Sequence, residues 1–425
     1  MTDTIFALSS GAPPAAIGVI RISGPQAGAA LMALAGRLPA PRRAAFMRLR
    51  DGAGAVLDAA LVLWLPGPQS DTGEDTVELQ CHGGRAVIAA VEAALALVPG
   101  LRQAGPGEFT RRAFTNGKID LAEAEGLADL LAAETELQRL AAVEMAGGHF
   151  SEQVAAWRER LLMLSASVEA VLDFSDEDDV ALLPADFIAR IAAFAEELGQ
   201  WLARPRAEAL KEGFRVVLAG PPNAGKSTLF NALIESDAAI VAPVAGTTRD
   251  VLTHPVALAG VPFRFFDTAG LREDSGDAIE AIGIERAQGA MRQADLVLWL
   301  GPEGDGPHGA WDIAAQCDRA GHAAKRNPRH RVSAVTGQGM DALRRDLIET
   351  ARSALPRPGE AALNQRQHRL LAEARLALDG AAGLSDPLLV AENLRLARVS
   401  FDMLLGRTTT EDMLDTLFGR FCIGK

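Results

Sequence analysis

The segment Gly220-Pro-Pro-Asn-Ala-Gly225-Lys226-Ser227 has the full GxxxxGK[ST] spacing. Its glycines let a backbone wrap a polyphosphate with N–H groups pointing inward. Lys226 has the reach for β- and γ-phosphates, and the Ser227 hydroxyl can ligate Mg²⁺. Asn223, Ala224, Gly225 and Thr228 complete the stretch that would line the phosphates. An apolar run, Phe214–Ala219, precedes the loop, and a helical pattern, Thr228–Ile234, follows it. A helix N-terminus there adds favourable partial charge for an anion. The bland alternative is a glycine-rich turn that binds nothing; a strand before and a helix after argue against it.

Two shorter motifs follow in order. Val261–Phe266 reads as a strand that ends in Asp267-Thr268-Ala269-Gly270. A carboxylate at a strand end suits a site near Mg²⁺, and the Thr268–Gly270 backbone suits γ-phosphate sensing. Between the two lies Gly246-Thr247-Thr248-Arg249-Asp250, where a threonine can complete a Mg²⁺ shell and make a switch loop. In this order after a phosphate loop, the motifs resemble a translation-factor-type GTPase. Leu271 occupies the place where a water-positioning Gln often stands, so Glu280 or Glu285 must be considered as the base. Base recognition departs from the usual pattern. No Asn-Lys-x-Asp follows the strand Leu296–Leu300. The nearest segment, Ala315-Gln316-Cys317-Asp318, keeps only the acid, and Ser333-Ala334-Val335 replaces an SAK-type loop. Asp318 can accept two hydrogen bonds from guanine, which keeps GTP the first reading and a less selective NTPase the alternative. The segment is also short, as if the outer part of this domain were trimmed.

The elements that must position these groups fall into three regions. Residues 1–118 alternate short apolar runs with turns, an α/β pattern: Ile17–Ile22, Ala59–Leu65 and Thr76–Cys81 read as strands and Arg85–Val98 as a helix. Residues 119–212 and 356–425 have helical spacing. Residues 213–355 repeat strand–turn–helix units, which reads as a Ras-like doubly wound nucleotide domain inserted into a helical one. Asp386 and Pro387 read as the N-cap and first residue of a helix closed by Gly406, and Thr408 with Glu411 as the capping box of another. Among 425 residues, 48% are hydrophobic and 23% charged, which excludes wholesale disorder. The net charge of −13 argues against a general nucleic-acid coat; tRNA or any other nucleic acid would need a local patch or a partner. No apolar stretch reaches membrane-spanning length, the start does not read as a signal peptide, and three scattered cysteines suit a reducing cytoplasm.

The motifs GVIRISG (18–24), PGPQSDTGED (66–75), ELQCHGG (78–84), GEFTRRAFTNGKIDLAEAEGLADL (107–130), GPPNAGKST, AGTTRD, DTAGLRE, IEAIGIERA and the terminal FCIGK together resemble the MnmE (TrmE) family of tRNA modification GTPases. The resemblance covers essentially the whole chain. It implies a folate-binding N-terminal domain over 1–118 that forms a homodimer, a discontinuous helical domain, and an inserted G domain. It implies a potassium-activated GTPase that acts with an FAD-dependent partner, MnmG (GidA). Together they would install a carboxymethylaminomethyl-type group on the wobble uridine of tRNA.

Residue by residue, the resemblance places a 5-formyl-tetrahydrofolate-type ligand on Arg21, Glu78, Lys118 and Lys425. It places K⁺ on Asn223, Ala242, Val244 and Thr247, and Mg²⁺ on Ser227 and Thr248. It favours Glu280 over Glu285 as the catalytic glutamate and puts Cys422 near the folate site with a chemical or redox role. A carboxylate such as Glu78 suits a pterin's amino-pyrimidine edge, and cations suit a folate's glutamate tail. Without the resemblance, each of these would read as an ordinary surface ion, and Cys422 as a small residue at a helix end.

Asp173–Asp179 lacks the spacing and central glycine of a Ca²⁺ loop and reads as a solvated acidic turn. Arg326–Arg331 (RNPRHR) reads as a solvated turn rather than a phosphate contact. Cys81 and Cys317 read as packing or incidental exposure. A rival function is a regulatory switch of the ribosome-assembly type, which would have no use for a folate pocket.

Overall fold

A computed structural model describes residues 3–173, 183–234, 239–241, 253–267, 289, 291–319, 325–408 and 410–424; for 239–241, 253–254 and 267 it describes the backbone alone. Contacts divide the chain into two compact units, residues 1–128 with 402–425, and residues 129–401.

The first unit is built on six strands: β1 (Thr4–Leu8), β2 (Ile17–Ser23), β3 (Ala45–Arg50), β4 (Val56–Leu65), β5 (Thr76–His82) and β6 (Leu101–Gln103). Their order is β3-β4-β5-β2-β1-β6, antiparallel except for the β1/β6 edge. Period-two alternation gives the sheet two chemically different faces. Phe6, Ile20, Ile22, Val77, Leu79 and Cys81 point into a core closed by α1 (Ala27–Ala35) and α2 (Arg85–Ala96). Arg21 and Glu78 alternate with them and so lie on the other face. There Ile5, Ala7 and Ala104 pack with Phe109 of α3 (Glu108–Thr115). The start of α4 (Leu121–Leu131) packs with α13 (Glu411–Phe418) through Leu121, Ala124, Leu414 and Phe418. The capping box at Thr408 and Glu411 does not form. The helix begins at Glu411, and Thr410 holds the N-cap position without a side-chain bond.

The second unit contains α5 (Glu136–Ala146), α6 (His149–Asp173), α7 (Phe187–Leu202), α8 (Ala207–Glu212), α9 (Lys226–Ile234), α10 (Met340–Ala354), α11 (Gln365–Ala382) and most of α12 (Pro387–Leu404). The Asp386 side chain accepts from Leu388 N–H at the start of α12, as read from the sequence. Trp157, Trp201, Phe150, Phe194 and Phe401 form the aromatic centre of the helical part.

Its sheet contains β7 (Phe214–Ala219), β8 (Ala239–Val241), β9 (Thr253–Leu258), β10 (Val261–Asp267), β11 (Leu296–Trp299), β12 (Trp311–Ala314) and β13 (His330–Arg331), in the order β13-β12-β11-β7-β10-β9-β8. The strands β13, β12, β11, β7 and β10 are parallel, which explains the apolar run Val216–Ala219 of β7: both of its faces are covered. Val216 and Leu218 face the core with Leu229 and Leu343, while Val217 and Ala219 face the opposite side with Val297.

β11 and β12 are parallel neighbours, yet only residues 300–310 join them, with no crossover helix. The segment read as short in the sequence thus joins the two strands directly, and a side chain spans their ends. Lys325, almost wholly buried, donates to Trp299 O at 2.9 Å and pairs with Asp312 at 2.8 Å.

Candidate functional site

The phosphate loop sits at the C-terminal end of β7, the central strand, where parallel sheets place ligands. Gly220 has φ +147, and a Cβ there would stand 2.9 Å from Gly301 N, so only glycine fits. Asn223 holds a left-handed φ of +62 and Gly225 one of +92. The helix α9 starts at Lys226, two residues earlier than the sequence pattern indicates, so Ser227 and Thr228 lie in its first turn. Lys226 is buried and doubles back over the loop: its Nζ donates to Gly220 O at 2.9 Å and Pro221 O at 2.8 Å. The ammonium is thus held at the mouth of the loop, where an anion would meet it. Ser227 and Thr228 are exposed, and with Asn231, Ala334, Asp341 and Arg344 they line a cavity of about 650 Å³.

Elements distant in sequence converge on this loop. Asp267, the last residue of β10, is in register with Leu218 on β7, beside the start of the loop. Asp318 follows β12, and Cys317 N donates to Val332 O at 3.2 Å, joining its segment to the Ser333-Ala334 turn. In that turn Ser333 Oγ accepts from Thr336 N at 3.1 Å, and Val335 is exposed. The Gln316 side chain reaches the loop itself, its Nε2 donating to Asn223 O at 3.3 Å. Ala242, Val244, Thr247, Thr248, Thr268, Ala269, Gly270, Glu280, Glu285 and Lys425 lie outside the described residues. So does most of Asp173–Asp179.

The basic RNPRHR segment is largely committed to the fold. Arg329 lies over the Trp311 ring at 3.9 Å, Arg331 donates to Lys325 O at 2.7 Å, and Arg326 N donates to Glu303.

In the first unit Arg21 and Glu78 stand directly across from each other on β2 and β5. Glu78 Oε1 accepts from Arg21 Nε at 3.1 Å and Nη2 at 2.7 Å, and Asp71 of the 66–75 loop lies 3.7 Å from the same nitrogen. Asn116 donates to Thr72 O at 2.7 Å, and the Lys118 side chain lies against Gly73, whose Cβ, if present, would be 3.3 Å from Lys118 Cε. The 66–75 loop therefore gathers Arg21 and Lys118, with Glu78 beside them. The C-terminal residues join the same unit. Ile423 bridges Pro106, and Gly424, at φ +98, passes so close to Leu8 O that no side chain fits. Cys422 is exposed beside this contact.

The sequence reading missed Arg112. It is fully buried and donates to Asp3 O, Asp3 Oδ1 and Glu74 Oε2, each at 3.0 Å, and to Glu108 Oε1 at 3.3 Å. Glu108 is also held by Arg102 and by Gly105 N. Burial disfavours the charged carboxylate of Glu108, but the Arg102 and Gly105 hydrogen bonds and the two guanidinium charges outweigh it and hold its pKa below the usual value. Asp58 is lowered in the same way: burial opposes its charge, and the His82 and Ala59 N–H groups and the His82 ring overcome that. Two charged motifs, PGPQSDTGED and GEFTRR, were the only signal in the sequence, and neither shows its partners.

A strand–glycine loop–helix with a buried lysine folded over it, on a mostly parallel sheet, defines a P-loop nucleotide-binding protein. Comparison with known proteins narrows the class. Residues 4–118 match the family described as GTP-binding protein TrmE N-terminus, and residues 121–422 match the MnmE helical domain. The tRNA modification GTPase MnmE of Erythrobacter litoralis is 65% identical over 423 residues, covering 100% of both chains. That of Novosphingobium aromaticivorans is 66% identical over 437 aligned positions, again covering 100% of both chains. Among solved structures, the G domain of the T. maritima FeoB iron transporter aligns with 32% of this chain and 98% of its own, at 24% identity and a TM-score of 0.22. The chain belongs to the MnmE family of tRNA modification GTPases. No helix among the described residues is long and apolar enough to cross a membrane.

Proposed function

We propose that this chain is a potassium-activated GTPase that couples hydrolysis to carboxymethylaminomethyl-type modification of the wobble uridine of tRNA. In this reading residues 1–118 bind a tetrahydrofolate one-carbon donor and form a homodimer. Residues 119–212 with 356–425 are the helical domain, and residues 213–355 are the G domain. An FAD-dependent MnmG (GidA) subunit completes the enzyme in the cytoplasm. The full-length likeness to the MnmE proteins supports the tRNA reaction.

The observation that carries the GTPase is the phosphate loop, with Lys226 held over it by Gly220 O and Pro221 O. On binding GTP, Lys226 would exchange these carbonyls for phosphate oxygens, and the first-turn N–H groups of α9 would face the phosphates. The donors fit the proposed ions. Ser227, in that first turn, offers a hydroxyl for Mg²⁺, with Thr248 as the second protein ligand. Asn223 would offer a neutral amide oxygen, and with Ala242, Val244 and Thr247 it would make an oxygen set suited to K⁺. A monovalent cation held there supplies fixed positive charge where charge develops on the phosphates. Glu280 orients the attacking water, Asp267 supports the Mg²⁺ shell, and Asp318 with the Ser333-Ala334 turn reads the base.

The folate reading rests on the Arg21–Glu78 pair and on Lys118 at the 66–75 loop. Lys425 would complete the set, and Cys422 would serve the chemistry beside it.

Hydrolysis of GTP and ATP in KCl and in NaCl at equal ionic strength tests the nucleotide part. GTP turnover that requires K⁺ is expected; equal, cation-indifferent turnover of both nucleotides would overturn it. Titration with 5-formyl-tetrahydrofolate tests the other part: binding by the wild type and its loss in Glu78→Ala are expected.

A further inference from the structure

Gln316, on the segment that carries Asp318, reaches across to the phosphate loop. Its backbone has a left-handed φ of +55. That conformation turns the side chain across Gly225, where a Cβ would stand 2.9 Å from Gln316 Nε2 and 3.3 Å from its Cγ. The amide is used at both ends. Nε2 donates to Asn223 O at 3.3 Å, and Oε1 accepts from Arg319 Nη1 at 3.4 Å. The backbone is held as well: Arg319 N donates to Gln316 O at 3.0 Å, and Cys317 N donates to Val332 O.

We infer that Gln316 is a positioning residue that ties the base-side segment to the phosphate loop and so sets how tightly the nucleotide is held. A nucleotide bound at both Asp318 and residues 223–228 spans the two elements, and the Gln316–Asn223 bond fixes their separation before it arrives. A neutral amide is the side chain that fits. It donates to a carbonyl on one side and accepts from a guanidinium on the other. A lysine could make the first bond but would set its charge against Arg319. The bond is neutral and exposed, so it is weaker than a charge-assisted one. This inference rests on the proposed reading that Asp318 recognises the base.

Three variants and two nucleotides test it. Gln316→Met keeps the length and removes both polar ends. Gln316→Glu keeps the acceptor for Arg319 and removes the donor to Asn223. Asp318→Ala reports on base reading alone. Stopped-flow release of fluorescent GDP and ADP analogues gives Kd and off-rates, and GTP turnover gives KM and kcat. Gln316→Met and Gln316→Glu should each raise the GDP Kd about three- to tenfold through a faster off-rate, the worth of a neutral hydrogen bond. KM should rise by a similar factor, and kcat should change by less than twofold. A Gln316→Glu protein that holds GDP within twofold of wild type would overturn the tie, as would variants whose kcat falls as far as their affinity. If the wild type, like Asp318→Ala, binds GDP and ADP equally, the base reading by Asp318 fails. In that case a Gln316 effect equal for both nucleotides would still support the tie.

Discussion

Glu78 and Arg21 form a two-nitrogen, one-oxygen ion pair across neighbouring antiparallel strands, with side chains only 16% and 19% exposed. Each partner satisfies the other while no ligand is present. Replacing Glu78 by Ala therefore leaves a half-buried guanidinium with Asp71 as its nearest acid, 3.7 Å away. The expected cost is about 1–3 kcal/mol of stability, as for a buried donor left without its acceptor. The double variant Arg21→Ala/Glu78→Ala should lose less than the sum of the singles, because it leaves no orphaned charge. Denaturant melts of the four proteins make the cycle. Additive losses would mean that the pair does not stabilise the fold and that its place on this face serves ligand binding alone.

The buried guanidinium of Arg112 predicts an acid limit. Its partner Glu108 has its pKa held below the ordinary value, and Asp3 likewise, since burial opposes its charge but the Arg102 and Arg112 contacts win. A carboxylate depressed in the folded state stabilises fully above its unfolded pKa, about 4.3 for Glu and 3.9 for Asp. That contribution is lost as pH falls through the folded value. Melting temperature should be flat from neutral pH to about 5 and should fall below about 4. Glu108→Gln should melt lower at neutral pH and show a shallower acid decline. Parallel curves for variant and wild type would remove Glu108 from the account.

The cysteines give a reactivity prediction. Cys81 faces the core, and burial, followed by the nearby Asp58 charge, pushes its thiol up to about 12. Only a thiolate reacts quickly, so at pH 8 Cys81 should resist iodoacetamide in the folded protein. Cys317 and Cys422 are exposed and should label. Cys317 adjoins Gln316 and Asp318, so GDP should slow its labelling while leaving Cys422 unchanged. Peptide mass mapping resolves the three sites. Rapid labelling of Cys81 would show that the unit opens in solution.

How far the sequence reveals the protein depends on whether the determinants are contiguous. The phosphate loop is legible because its glycines, lysine and serine occupy one short segment whose geometry is local. The Arg21 and Glu78 side chains are legible as charges at alternating strand positions, but their pairing needs the β2/β5 register. Arg112 is not legible, because its partners Asp3, Glu74 and Glu108 come from three separate segments. The short link after β11 could be counted from the sequence. That Lys325 would cap Trp299 and pair with Asp312 could not, since it depends on how β12 and β13 add to the sheet edge. The misplaced cap at Thr408 has a local cause: Thr410 is equally suited by type, and it holds the N-cap position in the structure.

The last prediction separates the shape of the phosphate loop from its charge. Gly220→Ala puts a Cβ 2.9 Å from Gly301 N and 3.1 Å from Leu300 C, both backbone atoms that cannot swing aside, and forces an alanine to φ +147. Strain of about 1–3 kcal/mol and a lower melting temperature in the ligand-free protein are expected. Lys226→Ala deforms no backbone. It removes the ammonium that Gly220 O and Pro221 O hold, and kcat/KM for GTP should fall by about 100-fold or more, as on loss of a charge aimed at the transition state. A bound nucleotide raises the melting temperature by mass action, so this variant should lose most of the rise that a GTP analogue gives the wild type. If Lys226→Ala retains both the rise and the turnover, Lys226 is only a strut for the loop, and the phosphate charge must be met by another cation.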